Sequence, residues 1–408
     1  PMKAVLCTVL DGDIHQMGSR VGKCDLGKVY GFGIEWEQMV RHALIIGGTG
    51  TGKTVTQMRL MSSFMSMSQA NPGEPPIRII FIDAKGLADN NKRDFLELAR
   101  SHGYQNINMW PEQPLDGFKG DANQLRERLS GLFNSGESAF HHAESVSMLD
   151  LALNAGEIPR TLQALLERVR PGATENLYGQ IATVESLIGK QISSTFSNNQ
   201  WNSLYLRLRA LQATVGDRLD SFGNSWSLNT TDAAWISIPG TSSPQAAGDI
   251  AAWVLAMLGE LATVGDGRKT LVFLDEFSAI GNDQRASRTA AGLVERTRSA
   301  GMALVIGSQT TDSLGESAIR LLQTAGTVIS HRNPAPENIC ELAGTIDVWE
   351  DTHELNANGG RSATSGRLQQ QFRVSPELVR ALPLGECVLL TGGRWAHVAV
   401  SRPIGRKR

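Results

Sequence analysis

The sequence is poor in the residues that build redox and metal chemistry. Its four cysteines, Cys7, Cys24, Cys340 and Cys387, make no Cys-x-x-Cys pair and stand apart from histidine at metal spacing. That excludes a disulfide scaffold and a zinc centre, and it predicts buried thiols in a reducing, cytosolic compartment. His141-His142 is the one histidine cluster and has no third ligand at helical spacing, so it reads as a solvated helix face. An excess of charge is also missing. With 39 basic and 41 acidic residues the formal net charge is −2, which excludes a generally basic nucleic-acid coat protein but not a ring whose channel alone is basic. No apolar run reaches 18 residues. The longest candidate, Ala251–Val264, is interrupted by Glu260 and reads as a buried helix. No secretory leader opens the chain. Pro1 stands before Met2, which suggests a trimmed sequence, so an N-terminal anchor ahead of residue 1 stays open.

What is present fits an α/β protein. The 408 residues allow one to three domains. Short apolar, β-branched runs recur at Ala43–Gly47, Arg78–Asp83, Gln105–Met109, Ala233–Ile238, Leu271–Asp275, Met302–Gly307, Gly326–Ser330 and Glu386–Thr391, with helical stretches between them. Strands separated by helices predict a doubly wound, mostly parallel sheet. The runs are continuous instead of alternating, as expected of strands buried on both faces. From Asp121 to Phe222 the rhythm changes to helical periodicity alone, entered through Pro111, Pro114 and Gly117 and left through Gly223-Asn224. The expected organisation is therefore a nucleotide-binding domain in two parts, 1–120 and 223–408, with an all-helical domain, 121–222, inserted between them. That insert carries nine basic and eleven acidic residues, so it offers no obvious surface for nucleic acid. Asn356–Arg367 reads as a flexible surface loop and Arg406-Lys407-Arg408 as a small basic tail.

The chemistry is concentrated in three places. Gly47-Gly48-Thr49-Gly50-Thr51-Gly52-Lys53-Thr54 matches GxxxxGK[ST], follows a strand and precedes a helix-compatible segment. Such a loop curls main-chain N–H groups around phosphate oxygens and adds the positive end of the helix. Lys53 is expected to reach the β- and γ-phosphates of a nucleoside triphosphate, and the Thr54 hydroxyl to ligate Mg²⁺. Leu271–Leu274 then delivers Asp275 and Glu276 to a strand's C-terminal end, where ligands sit in open sheets. Asp275 is expected to contact the magnesium shell, and Glu276 to orient and deprotonate the attacking water, which points to a hydrolase. Asp83, ending RIIFID, competes for the metal-side role, although Lys85 beside it could be its ion-pair partner. Finally, the strand Met302–Gly307 runs into Ser308-Gln309, placing a carboxamide where it could sense a γ-phosphate. Arg296 and Arg298 precede that strand, and either could serve a neighbouring subunit as an arginine finger. Asn91-Lys92-Arg93-Asp94 spells the guanine-reading NKxD, but it precedes the acidic strand, so ATP is the expected nucleotide.

Together these segments resemble the coupling ATPases of type IV secretion and bacterial conjugation, the TraG/TraD group within the FtsK/HerA superfamily. The resemblance is carried by HALIIGGTGTGKT, IIFIDAKG, LVFLDEFSAIG, RSAGMALVIGSQT and VSPELVRALPLGECVLLTGGR, and it spans nearly the whole chain. It implies a RecA-like P-loop domain with an all-helical insertion, a homohexameric ring with ATP and Mg²⁺ at subunit interfaces, and movement of substrate through a central channel. The implied partners are single-stranded DNA, met by channel loops, with a relaxase or protein effectors, and the components of a secretion channel. Lys53, Thr54, Asp275, Glu276 and Gln309 keep the roles given above, and Arg298 becomes the preferred finger in trans. Members of that group carry N-terminal membrane helices. The expected location is thus the cytoplasmic face of the bacterial inner membrane if an anchor was removed, and the cytoplasm otherwise. Two other readings stay open: a double-stranded DNA translocase of the FtsK or HerA kind, and a nucleotide-gated ring scaffold with incidental turnover.

Overall fold

The computed structural model describes residues 3–12, 31–69, 73–86, 89–130, 139–170, 196–264, 266–281, 284–355 and 361–401. Its strands are β1 (Lys3–Gly12), β2 (Gly31–Glu35), β3 (Ala43–Ile46), β4 (Arg78–Asp83), β5 (Ile107–Trp110), β6 (Ala233–Ser237), β7 (Thr270–Asp275), β8 (Met302–Ser308), β9 (Thr327–Ser330), β10 (Thr345–Leu355), β11 (Arg361–Phe372), β12 (Glu386–Thr391) and β13 (Arg394–Val400). Eleven form one sheet in the order β2-β1-β13-β12-β9-β3-β8-β7-β4-β6-β5, and β10 and β11 form a separate hairpin. From β9 to β5 every pairing is parallel. From β9 outward through β12, β13, β1 and β2 every pairing is antiparallel. The fold is a RecA-like, mostly parallel P-loop sheet with an antiparallel extension.

The parallel strands read as continuous apolar runs because successive side chains enter two different cores. Leu44 and Ile46, Ile80 and Ile82, Val272 and Leu274, and Leu304 and Ile306 face one cluster. Ala43 and Ile45, Ile79 and Phe81, Leu271 and Phe273, and Ala303 and Val305 face the other. The second cluster is closed by the helices Lys53–Gln69 and Asp89–Ser101 through Phe64, Phe95 and their neighbours. Phe81 stacks on Trp235 there with ring centroids 4.5 Å apart. The first cluster is closed by Pro244–Val264 and Gln284–Thr297. Within the former, Ala246–Thr263 is long and apolar enough to cross a membrane, yet Ile250, Trp253, Val254 and Leu258 are buried against protein.

Between β5 and β6 the described residues hold the helices Ala122–Ser130, Ala139–Asn154, Leu162–Val169 and Asn198–Val215 and no strand. The helix-like run around residues 178–192 lies outside the described residues, as do the basic tail at 406–408 and Cys24. Thr161 and Ser197 cap two of these helices with side-chain acceptors, as serine and threonine do at helix starts. Leu125, Leu149, Leu153, Leu165, Trp201 and Leu208 belong to the same cluster as the sheet's first face. Arg128 fastens the two together. Its guanidinium pairs with Glu260 on Pro244–Val264 and also donates to the carbonyls of Gly117 and Lys119.

The structure corrects one expectation. Residues 361–367, read as loop, belong to β11 and pair with β10, for example Arg367 opposite Glu350; residues 356–360 lie outside the described residues. The segment is rich in small polar residues, so no apolar alternation announced the strand. β1, β2, β10 and β13 were missed as well: β13 and the hairpin lie outside the doubly buried centre, whereas β1 does carry a short apolar run, Ala4–Cys7.

Candidate nucleotide site

β3 ends at Ile46 and the chain turns through residues 47–52 into the 17-residue helix that begins at Lys53. Gly50 and Gly52 take φ of +76° and +115°, which only glycine adopts without strain. Because the parallel strands are in register, Asp83 lies directly opposite Asp275, and Ile46 opposite Ser308. One sheet edge therefore receives the loop, both acidic strand ends and the end of β8.

The predicted residues converge at that edge. Thr54 Oγ1 donates to Asp275 Oδ2 at 3.2 Å. Lys53 Nζ lies 4.0 Å from Glu276 Oε1 and donates to the carbonyls of Gly47 and Gly48 at 2.8 and 3.3 Å. Gln309 Nε2 donates to Glu276 Oε2 at 3.1 Å, and the Glu276 N–H donates to Asp275 Oδ1 at 3.0 Å. Glu276 holds a φ of +50°, a left-handed conformation that costs an L-residue energy and is found where a site over-determines the backbone.

Burial governs the electrostatics. It pushes the Asp275 carboxyl up to about 6, and the charges of Glu276 and Asp83 add to the effect. Burial also raises Asp83 and lowers Lys53, although Glu276 and Asp275 oppose the change at the lysine. Three carboxylates, Asp83, Asp275 and Glu276, share this edge with the ammonium groups of Lys53 and Lys85, which leaves an excess of negative charge that a cation would relieve. Asp83 Oδ1 accepts from the Lys85 N–H at 3.0 Å, whereas Oδ2 is buried with no hydrogen-bond partner among the described residues. Among those residues no three His, Cys, Asp or Glu side chains form a metal cage. Magnesium takes one or two protein ligands and completes its shell with phosphate and water. Thr54 and Asp275 are the residues fit to hold it.

Three contributors escaped the sequence reading. Gln57 is fully buried, with neither amide atom hydrogen-bonded among the described residues. Gly307 makes room for it, since a Cβ there would collide with the Gln57 amide and come within 3.0 Å of Asp275 Oδ1. His331 lies beneath the loop, its Nε2 2.8 Å from Thr56 Oγ1. The Gly in VIGSQ was a usable signal for the second; nothing local marked the other two. Arg298 is not brought to the site. It is exposed in a single 3-10 turn before β8, at the strand's opposite end from Gln309, roughly 20 Å away at strand rise. Arg296 is exposed nearby and bonds the Gly292 carbonyl. Lys92 of the NKxD sequence pairs with Glu112.

The whole-chain architecture has known counterparts among solved structures. The bacterial conjugative coupling protein TrwBdeltaN70, unbound, superposes with a TM-score of 0.64 at 16% identity, covering 96% of this chain and 93% of that one. VirB4 of Thermoanaerobacter pseudethanolicus gives 0.61 at 16%, covering 94% and 97%. The fold is that of TrwB and VirB4. TrwB in complex with ADP and Mg²⁺ matches equally, with a TM-score of 0.62 at 15% identity over 98% of this chain and 96% of that one. No protein-family model and no curated protein sequence matches the chain. The similarity to TrwB and VirB4 is thus one of fold, and the site's chemistry rests on its own geometry.

Proposed function

We propose that the chain is an ATP-driven coupling protein that recruits DNA, nucleoprotein or protein substrate to a type IV secretion or conjugation channel and powers its transfer. The observation that carries the hydrolytic part is the contact chain Thr54–Asp275–Glu276–Gln309 beside Lys53 at one sheet edge. Bound magnesium would supply charge neutralisation on the phosphates. Lys53 would exchange its loop carbonyls for the β- and γ-phosphates of ATP, the stronger, charge-assisted partners. Glu276, aimed by the Gln309 amide, is the base that orients and deprotonates the attacking water. Gln309 in turn reports the state of the γ-phosphate to β8.

The transport part rests on the fold shared with TrwB and VirB4 over nearly the full chain. In this reading the protein works as a homohexamer with Arg298 of one copy completing the site of the next. DNA passes by channel loops, and the near-neutral helical segment recognises a relaxase or effector protein. Its place is the cytoplasmic face of the bacterial inner membrane if an anchor precedes residue 1. The test is ATP turnover by the purified chain with and without single- and double-stranded DNA, together with its mass in solution. Stimulation by single-stranded DNA and a sixfold mass are expected. Stimulation by duplex alone would favour a double-stranded translocase, and an unstimulated monomer would sink the motor reading.

A further inference from the structure

The closing segment Leu382–Glu386 and the residues after β9 take no part in the chemistry above, yet they meet directly under the phosphate loop. His331 is fully buried there. Its Nδ1 is 2.9 Å from the Glu386 carbonyl. A carbonyl only accepts, so Nδ1 carries the proton and Nε2 is left as an acceptor. The Thr56 hydroxyl fills it at 2.8 Å in preference to its other acceptor, the Gly52 carbonyl at 3.3 Å.

The loop rests on this assembly at both ends. A Cβ on Gly47 would stand 2.6 Å from His331 Cβ, and one on Gly52 would stand 3.4 Å from His331 Cε1. The Gly48 N–H donates to the Arg332 carbonyl at 3.0 Å, and the His331 N–H to the Ile46 carbonyl at 2.7 Å. Gly385 closes the side, its N–H 3.5 Å from the Thr51 carbonyl. An imidazole with both nitrogens engaged cannot turn, so it fixes the spacing between β9, β12 and the first turn of the loop's helix.

We propose that His331 is a positioning residue for the phosphate loop: clamped between the Glu386 carbonyl and the Thr56 hydroxyl, it sets the seat of Gly47 and Gly52 and hence the grip on the triphosphate. The proposal rests on the phosphate-binding reading of residues 47–54. A seat of this kind acts equally on bound substrate and on the transition state, so it governs KM and leaves kcat alone.

The experiment uses the full chain, with ATP affinity by calorimetry and steady-state turnover for Thr56→Val, His331→Asn, His331→Gln and the Thr56→Val/His331→Asn pair. Asparagine keeps a donor for the Glu386 carbonyl and loses the acceptor for Thr56; glutamine does the reverse. Thr56→Val and His331→Asn should each raise Kd and KM for ATP roughly tenfold with kcat within about twofold, the scale of one buried hydrogen bond. The pair should be no worse than either alone, and His331→Gln should stay nearer the parent. A lowered melting temperature with KM unchanged would assign His331 a purely structural role and overturn the proposal. Additive losses, or rescue by asparagine instead of glutamine, would overturn it as well. Should the His331 variants not fold, Thr56→Val alone decides by its KM. If the parent chain itself binds no ATP, the phosphate-site reading fails, a result distinct from variants that bind as tightly as the parent.

Discussion

Glu276 sits in a left-handed conformation with its carboxylate held by Gln309 and facing Lys53. Replacing it by glutamine preserves shape and removes the carboxylate proposed as the base. Glu276→Gln should therefore retain ATP binding while turnover falls at least ~10²-fold; unchanged turnover in a single-turnover assay would refute the assigned role. A second residue-scale outcome concerns acid. His42 and His331 are buried, and burial holds both near 4, below the ordinary value of 6.5, with Arg298 and Lys53 respectively acting in the same direction. Their folded-state pKa is depressed, so below pH 6.5 the unfolded chain binds protons that the folded one refuses. The stability they contribute is full above pH 6.5 and is lost as pH falls towards 4, on the order of 3 kcal/mol for each. Asp275 works in the opposite sense, because a carboxyl raised to about 6 is relieved by protonation as pH drops through that value. The comparison that separates them is parent against His42→Asn, since asparagine tolerates the φ of +66° at that position. Melting temperature should fall less steeply for the variant between pH 6.5 and 4. Equal slopes would remove His42 from the account.

At the scale of elements, legibility followed burial. Strands β3, β4, β6, β7 and β8 stood out in the sequence because both faces are buried, which forces apolar residues at every position. β13, in contrast, has a mixed burial pattern and its sequence RWAHVAV has no continuous run. The hairpin to β12 nevertheless left a mark, for Gly392 and Gly393 both take positive φ, the pair that a tight hairpin turn requires. β10 and β11 were hidden because their hairpin leaves Trp349 and Leu368 61% and 63% exposed across from each other. The helical segment was legible as helices but not as to what holds it. That is Arg128, buried and paired with Glu260 across more than a hundred residues of sequence. Arg128→Ala strands the carboxylate and frees two carbonyls, so the protein should lose about 3 kcal/mol. Denaturant unfolding measures this, and a loss below about 0.5 kcal/mol, the scale of a surface change, would show the pair to be incidental.

For the whole molecule, the exposed Arg298 and the site at the opposite strand ends make a simple demand. If the finger acts at all, another copy must present it. Mixing Arg298→Ala subunits with Glu276→Gln subunits should then restore part of the turnover that each lacks alone, because some interfaces pair an intact base with an intact finger. Mixed rings with no recovery would count against a shared site. Salt dependence of any DNA stimulation would report how many phosphates the protein touches.

The amino-acid order by itself determined the phosphate loop, the acidic strand end and the parallel centre, because each depends on neighbours along the chain: glycines in a turn, a lysine at a helix start, apolar residues in unbroken runs. Tertiary structure alone decided that Asp83 stands beside Asp275, that Gln309 meets Glu276, and that His331 lies under Gly47. Those contacts join residues brought side by side only by the order of strands in the sheet, and strand order is set by how the two faces are covered, which no local pattern encodes.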